Sequence, residues 1–106
     1  MTYKLRFHEL ALAEWRKLDS TVREPFKKKL AKRLEYPRVP SAALSGMADC
    51  YKIKLRGVGY RLVYRVDEDV VFVTVIAVGR RDRSQVYDAA QTRWAQPIPD
   101  ELGESP

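Results

Sequence analysis

The stretch Cys50–Val66, CYKIKLRGVGYRLVYRV, decides the fold. Read with a period of two, Tyr51, Ile53 and Leu55 fall on one face and Lys52, Lys54 and Arg56 on the other. The second half alternates in the same way, with Tyr60, Leu62, Tyr64 and Val66 set against Arg61, Val63 and Arg65. Between the halves lies Gly57-Val58-Gly59, whose glycines permit the positive φ that hairpin turns need. The spacing predicts a two-stranded antiparallel ribbon, apolar beneath and cationic on top. Its five Lys/Arg stand with no Asp or Glu among them, so the charge calls for an anion from outside, and a row of phosphates fits.

Working outward, Tyr3–Phe7 alternates as a short strand, and from Glu9 the period becomes helical through Leu12, Trp15 and Leu18. Asp19-Ser20 interrupts. Thr21-x-x-Glu24 has the form of a capping box, and Val22, Phe26, Leu30 and Leu34 mark a second helix ending before Pro37, with Pro25 expected at the edge of its first turn. Helices so close in sequence should pack as an antiparallel hairpin. A connector, Pro37–Ala48, leads into the ribbon. Beyond the acidic turn Asp67–Asp69, the β-branched run Val70–Val78 reads as a central strand covered on both faces. Ser84 is placed to cap a last helix, Gln85–Ala95. The order β-α-α-β-β-β-α predicts one α+β domain over residues 1–95: a small antiparallel sheet packed on one side by an N-terminal helical hairpin, its other face free and basic, with a short C-terminal helix. The Pro-rich acidic segment 96–106 is expected to be disordered.

At 106 residues with 45% hydrophobic and 32% charged residues, the composition is that of a globular domain. The net charge of +6 understates the imbalance. Residues 1–94 hold all 20 basic residues against 11 acidic ones, a net of +9, and the other three acids are in the tail. A polyanionic partner or a merely solvated surface would each account for that. No apolar run is long enough for a bilayer, and with Cys50 as the sole cysteine and no signal-peptide pattern the reading favours the cytoplasm, with no membrane partner.

His8 is the only histidine, so paired-histidine nuclease chemistry is excluded, and there is no metal-ligand spacing or glycine-rich phosphate loop; neither metal nor cofactor is expected. Phosphodiester cleavage by an internal 2′-hydroxyl needs a base, positive charge on the phosphate and a donor to the leaving oxygen. Lys52, Lys54 and Arg61 project from one face, and crowded cations lower one another's affinity for a proton. Arg81, at the end of the buried strand, is placed to reach the same phosphate, and Tyr87 offers a ring for a base to stack on. On spacing alone, a solvated or merely phosphate-binding face is favoured over catalysis. Lys27–Lys29, Lys32 and Arg33 read as a solvated helix face or as further contacts to an RNA backbone. Cys50 reads as structural.

The segments ALAEWRKL, STVRE, KKKL, GM-x-DCYKIKLR, GYRLVYRV and VGRRDRSQVY together resemble the RelE branch of the RelE/ParE toxin superfamily, from about Tyr3 to Tyr87. The resemblance implies a toxin of a type II toxin-antitoxin system, a metal-independent endoribonuclease that enters the ribosomal A site and cleaves mRNA there. It implies that Lys54 is a general base and Lys52 a charge stabiliser, that Arg61 stabilises the transition state, that Arg81 protonates the leaving group, and that Tyr87 stacks on the substrate base. Lys28, Lys32, Arg56, Arg65 and Arg83 are expected to contact mRNA or 16S rRNA. A RelB-like antitoxin, acidic and partly disordered, is the implied partner, with operator DNA met only through that complex. Ser45 departs from the basic residue common at this position, which predicts weaker RNA binding or cutting. The alternatives are a ParE-like protein that poisons DNA gyrase without catalysis, and a toxin that binds the ribosome without cutting.

Overall fold

The computed structural model describes residues 2–80 and 85–95. Its elements are β1 (Lys4–Phe7), α1 (Glu9–Arg16), α2 (Ser20–Glu35), β2 (Cys50–Leu55), β3 (Tyr60–Asp67), β4 (Phe72–Arg80) and α3 (Gln85–Arg93), with single 3₁₀ turns at Pro40–Ala42 and Glu68–Val70. The four strands form one sheet in the order β1-β4-β3-β2. The ribbon β2–β3 is antiparallel as expected, closed by a turn in which the Gly59 N–H donates to the Leu55 carbonyl. Only Gly59 uses positive φ there, at 67°.

Four expectations are corrected. The sheet is not wholly antiparallel, because β1 pairs with β4 in parallel, Lys4 opposite Phe72 through Phe7 opposite Val75. A four-residue alternation carries no direction, so the sequence could not decide this. Second, the face opposite the helical hairpin is not all free. Val86 and Ala90 of α3 close over Val63, Ile76, Ala77 and Cys50 in a core of their own. Third, Asp19 rather than Thr21 caps α2, accepting from the Thr21 N–H at 2.9 Å, so the helix starts earlier and Pro25 lies inside it. Fourth, β4 starts at Phe72, because Val70 closes the 3₁₀ turn and Val71 is left-handed at φ 58°. The acidic segment 96–106, expected to be disordered, lies outside the described residues, as does Ser84.

The larger core lies between the sheet and α1 and α2. Trp15 of α1 stands between Phe7 of β1 and Phe26 of α2, with ring centroids 5.4 and 6.4 Å away. Phe26 and Leu30 are fully buried, as their four-residue spacing requires.

Two charged networks fasten α3 to this frame. β1 pairs with β4 only as far as Val75, and beyond that point side chains take the strand's backbone groups. The Val78 N–H donates to Glu14 of α1, the Ile76 carbonyl accepts from Arg93 of α3, and Glu14 and Arg93 form an ion pair at 2.9 Å. Ile76 is the extra residue of a bulge between β3 and β4. The second network is centred on Asp67, which accepts from Arg6, Arg65 and Thr74, while Arg65 also donates to the Trp94 carbonyl after α3. Burial pushes the Asp67 carboxyl up, but its bonds from Arg65, Thr74 and Arg6 outweigh that and hold it below the usual range.

Glu14→Ala should lower stability by about 2 kcal/mol in urea unfolding, because it strands the Arg93 guanidinium and the Val78 N–H together. Asp67 gains its charge more readily folded than unfolded, so its contribution is present above the unfolded carboxylate range and is lost as pH falls through the folded value. The stability gap between Asp67→Asn and the parent should therefore be largest near pH 7 and narrow on acidification towards about pH 3, read from paired urea titrations.

Candidate nucleic-acid interface

Period-two alternation in a paired ribbon places the cations. Lys54 lies directly opposite Arg61, Lys52 opposite Val63, and Arg61 opposite Gly79 on β4. Lys52, Lys54 and Arg61 thus share one face of adjacent strands, as the spacing predicts. Ile53, Leu55 and Leu62 beneath them are buried and make the platform rigid. Arg61 is itself 7% exposed, its Nη1 donating 3.0 Å to the Tyr60 carbonyl. Lys52 and Lys54 are half-buried, and Arg56 is exposed at the turn.

Lys54 is electrostatically unusual. The charge of Lys52 first, then burial, Arg61 and Arg56 lower its proton affinity below the ordinary lysine value. The face therefore sets a lysine biased towards its neutral form among other cationic side chains. Cys50 is the reverse case: burial pushes its thiol up to about 11, so it stays a protonated part of the smaller core.

A groove of about 760 Å³ runs between α2 and the outer edge of β2. Lys29, Arg33, Lys52, Lys54 and Arg56 all line it, and no acid does. Of the α2 cations read as possible RNA contacts, Lys28 and Lys32 are exposed, while Lys29 and Arg33 face β2 across this groove. The signal was available, since Arg33 stands seven residues after Phe26 and three after Leu30, on the buried side of the helix. Arg33 is not part of a solvated face, because it donates to the Lys52 carbonyl and the Tyr64 hydroxyl.

The guanidinium of Arg65, expected as an RNA contact, is engaged with Asp67 and the Trp94 carbonyl. Tyr87 is half-buried on α3 against the smaller core. Arg81 and Arg83 lie outside the described residues, and Ser45 is exposed beside Gly46. Among the described residues no three His, Cys, Asp or Glu side chains cluster as metal ligands would, and no helix is long and apolar enough to cross a membrane.

Comparison with known proteins places this geometry. The sequence profile of the ParE toxin of the type II toxin-antitoxin system parDE matches residues 5–85. The chain belongs to the ParE toxin family. Within that family its likeness is to RelE toxins. It is 60% identical over 93 residues to the mRNA interferase toxin RelE of Escherichia coli strain K12, covering 88% of this chain and 98% of that one. The fold is similar to that of an E. coli RelE variant in the free state, with a TM-score of 0.82 and 58% identity over 88% of this chain and 98% of the other. It is also similar to an E. coli RelE variant complexed with an antitoxin RelBc peptide, with a TM-score of 0.74 and 59% identity over 85% and 95%. The expected RelE-type α+β fold is borne out.

Because Lys52 is the leading cause of the lowered Lys54 value, Lys52→Met should move the Lys54 titration midpoint upward. NMR of the lysine side-chain resonances across alkaline pH reads this directly.

Proposed function

We propose that the chain is the toxin of a type II toxin-antitoxin pair and an endoribonuclease that cleaves mRNA in the ribosomal A site, inhibiting translation. The observation that carries the reading is the Lys52–Lys54–Arg61 cluster, in which one lysine is biased towards its neutral form by charged neighbours on a fixed ribbon. The 60% identity to an mRNA interferase supports it.

In the proposed reaction, neutral Lys54 accepts the proton of the 2′-hydroxyl as that oxygen attacks the adjacent phosphorus. Lys52 and Arg61 stabilise the added negative charge on the phosphate oxygens. The P–O5′ bond breaks, the 5′-oxygen takes a proton with Arg81 as its assigned donor, and a 2′,3′-cyclic phosphate remains. Tyr87 stacks on the neighbouring base and holds it splayed. Lys28, Lys32, Arg56 and Arg83 bind mRNA or 16S rRNA backbone, and Lys29 joins them from the groove. The partner is a RelB-like antitoxin, through which the pair meets operator DNA. The site of action is the cytoplasm, where the ribosomes are.

The test adds purified protein to ribosomes programmed with mRNA and an empty A site, and maps cuts by primer extension. Cleavage within the A-site codon is expected, absent on free mRNA, with Lys54→Ala and Arg61→Ala each reducing the rate by roughly 10²-fold or more. An intact message would overturn the reading, and inhibition of DNA gyrase would then identify the gyrase-poisoning alternative.

A further inference from the structure

β2 is an edge strand. Its inner side pairs with β3, but its outer side has no strand beside Lys52–Leu55. Leu44 covers the first position, its N–H donating to the Cys50 carbonyl at 3.0 Å. At the next outward carbonyl, that of Lys52, the partner is a side chain from another element: Arg33 Nη1, 3.1 Å away. The same nitrogen donates to the Tyr64 hydroxyl at 2.9 Å, and the guanidinium carbon lies 5.7 Å from the centre of the Tyr64 ring. Tyr64 is fully buried, stacks on Tyr51 at 5.7 Å and donates its hydroxyl proton to the Pro37 carbonyl. Arg33 is thereby anchored on a fully buried side chain, and it ties that side chain to the backbone of Lys52.

We infer that Arg33 is a positioning residue: by holding the Lys52 carbonyl on the open edge of β2, it fixes the spacing between the Lys52 and Lys54 side chains. Edge strands fray where their outward groups lack partners, and two ammonium groups on one face gain by moving apart. The groups facing Lys54 are Lys52 on its own strand, Arg61 on β3, Arg56 at the turn, and Lys29 and Arg33 across the groove, with no acid lining it. Of these, Lys52 is the leading cause of its lowered proton affinity. Freed of Arg33, Lys52 swings into the groove, and Lys54 recovers towards an ordinary lysine. The role rests on the reading of Lys54 as the base, but the coupling between Arg33 and Lys54 is measurable without any cleavage.

The test uses the full chain with labelled lysine. The Lys54 side chain is titrated by NMR in the parent, Arg33→Met, Arg33→Lys and Lys29→Met. Arg33→Met is expected to move the Lys54 midpoint upward. Arg33→Lys, which keeps the charge and is the milder change should methionine impair folding, is expected to move it the same way. Lys29→Met removes a groove charge without touching β2 and should leave Lys54 nearly where it was. In A-site cleavage, Arg33→Lys should lower kcat roughly tenfold with little change in KM, and its acidic limb should shift to higher pH. An unmoved Lys54 midpoint in the Arg33 variants would overturn the inference, as would an equal displacement by Lys29→Met. Displaced midpoints in a protein that never cuts mRNA would uphold the coupling and defeat the proposed reaction.

Discussion

A strand that is apolar on both faces has to be covered twice, and β4 imposes that condition on the whole chain. Val73 and Val75 face the aromatic core under α1 and α2, while Ile76 and Ala77 face the smaller core under α3. Burying a Val or Ile side chain contributes about 1.5–3 kcal/mol, so neither cover is dispensable in a domain this small. The positions of α1, α2 and α3 follow from it. So does the cationic platform, because among the described residues α3 leaves the β2 end of the second face uncovered.

The platform works against stability. Lys52, Lys54 and Arg61 repel one another, and they are held together because the residues alternating with them, Ile53, Leu55 and Leu62, are buried beneath. A one-residue slip would put the lysines into the core, so the register that protects the core also sets the distances between the charges. The fold thus converts hydrophobic burial into electrostatic pressure on Lys54, and a bound phosphate chain or an acidic partner relieves it.

The ribbon was legible in the sequence because period-two alternation specifies both the pairing and the face, and Lys54 opposite Arg61 follows directly from it. The second helix was legible from Phe26 and Leu30, but its start was not. Asp19 and Thr21 are both capable caps, and only the backbone path decides that Asp19 is used. The β1 direction was not legible, since four alternating residues fit either orientation. Lys52, Lys54 and Arg61 were legible as one face because alternation controls them. The engagement of Arg65 was not legible, because its partners Asp67 and Trp94 come from the strand end and from beyond α3. The bond from Arg33 to the Lys52 carbonyl was not legible either, because it forms at a strand edge that no local pattern reveals.

The parallel pairing of β1 with β4 sets the order of assembly. Arg6 and Thr74, which meet across it, are 68 residues apart, whereas the ribbon closes over a turn of a few residues. Local closure is fast and long-range closure slow, so the ribbon can form as a hairpin while β1 is still without a neighbour. During synthesis the first strand made is the last to be seated, once β4 has emerged and α3 can follow it. The cationic hairpin therefore precedes its own foundation, and the site is complete only once β4 and α3 have been made.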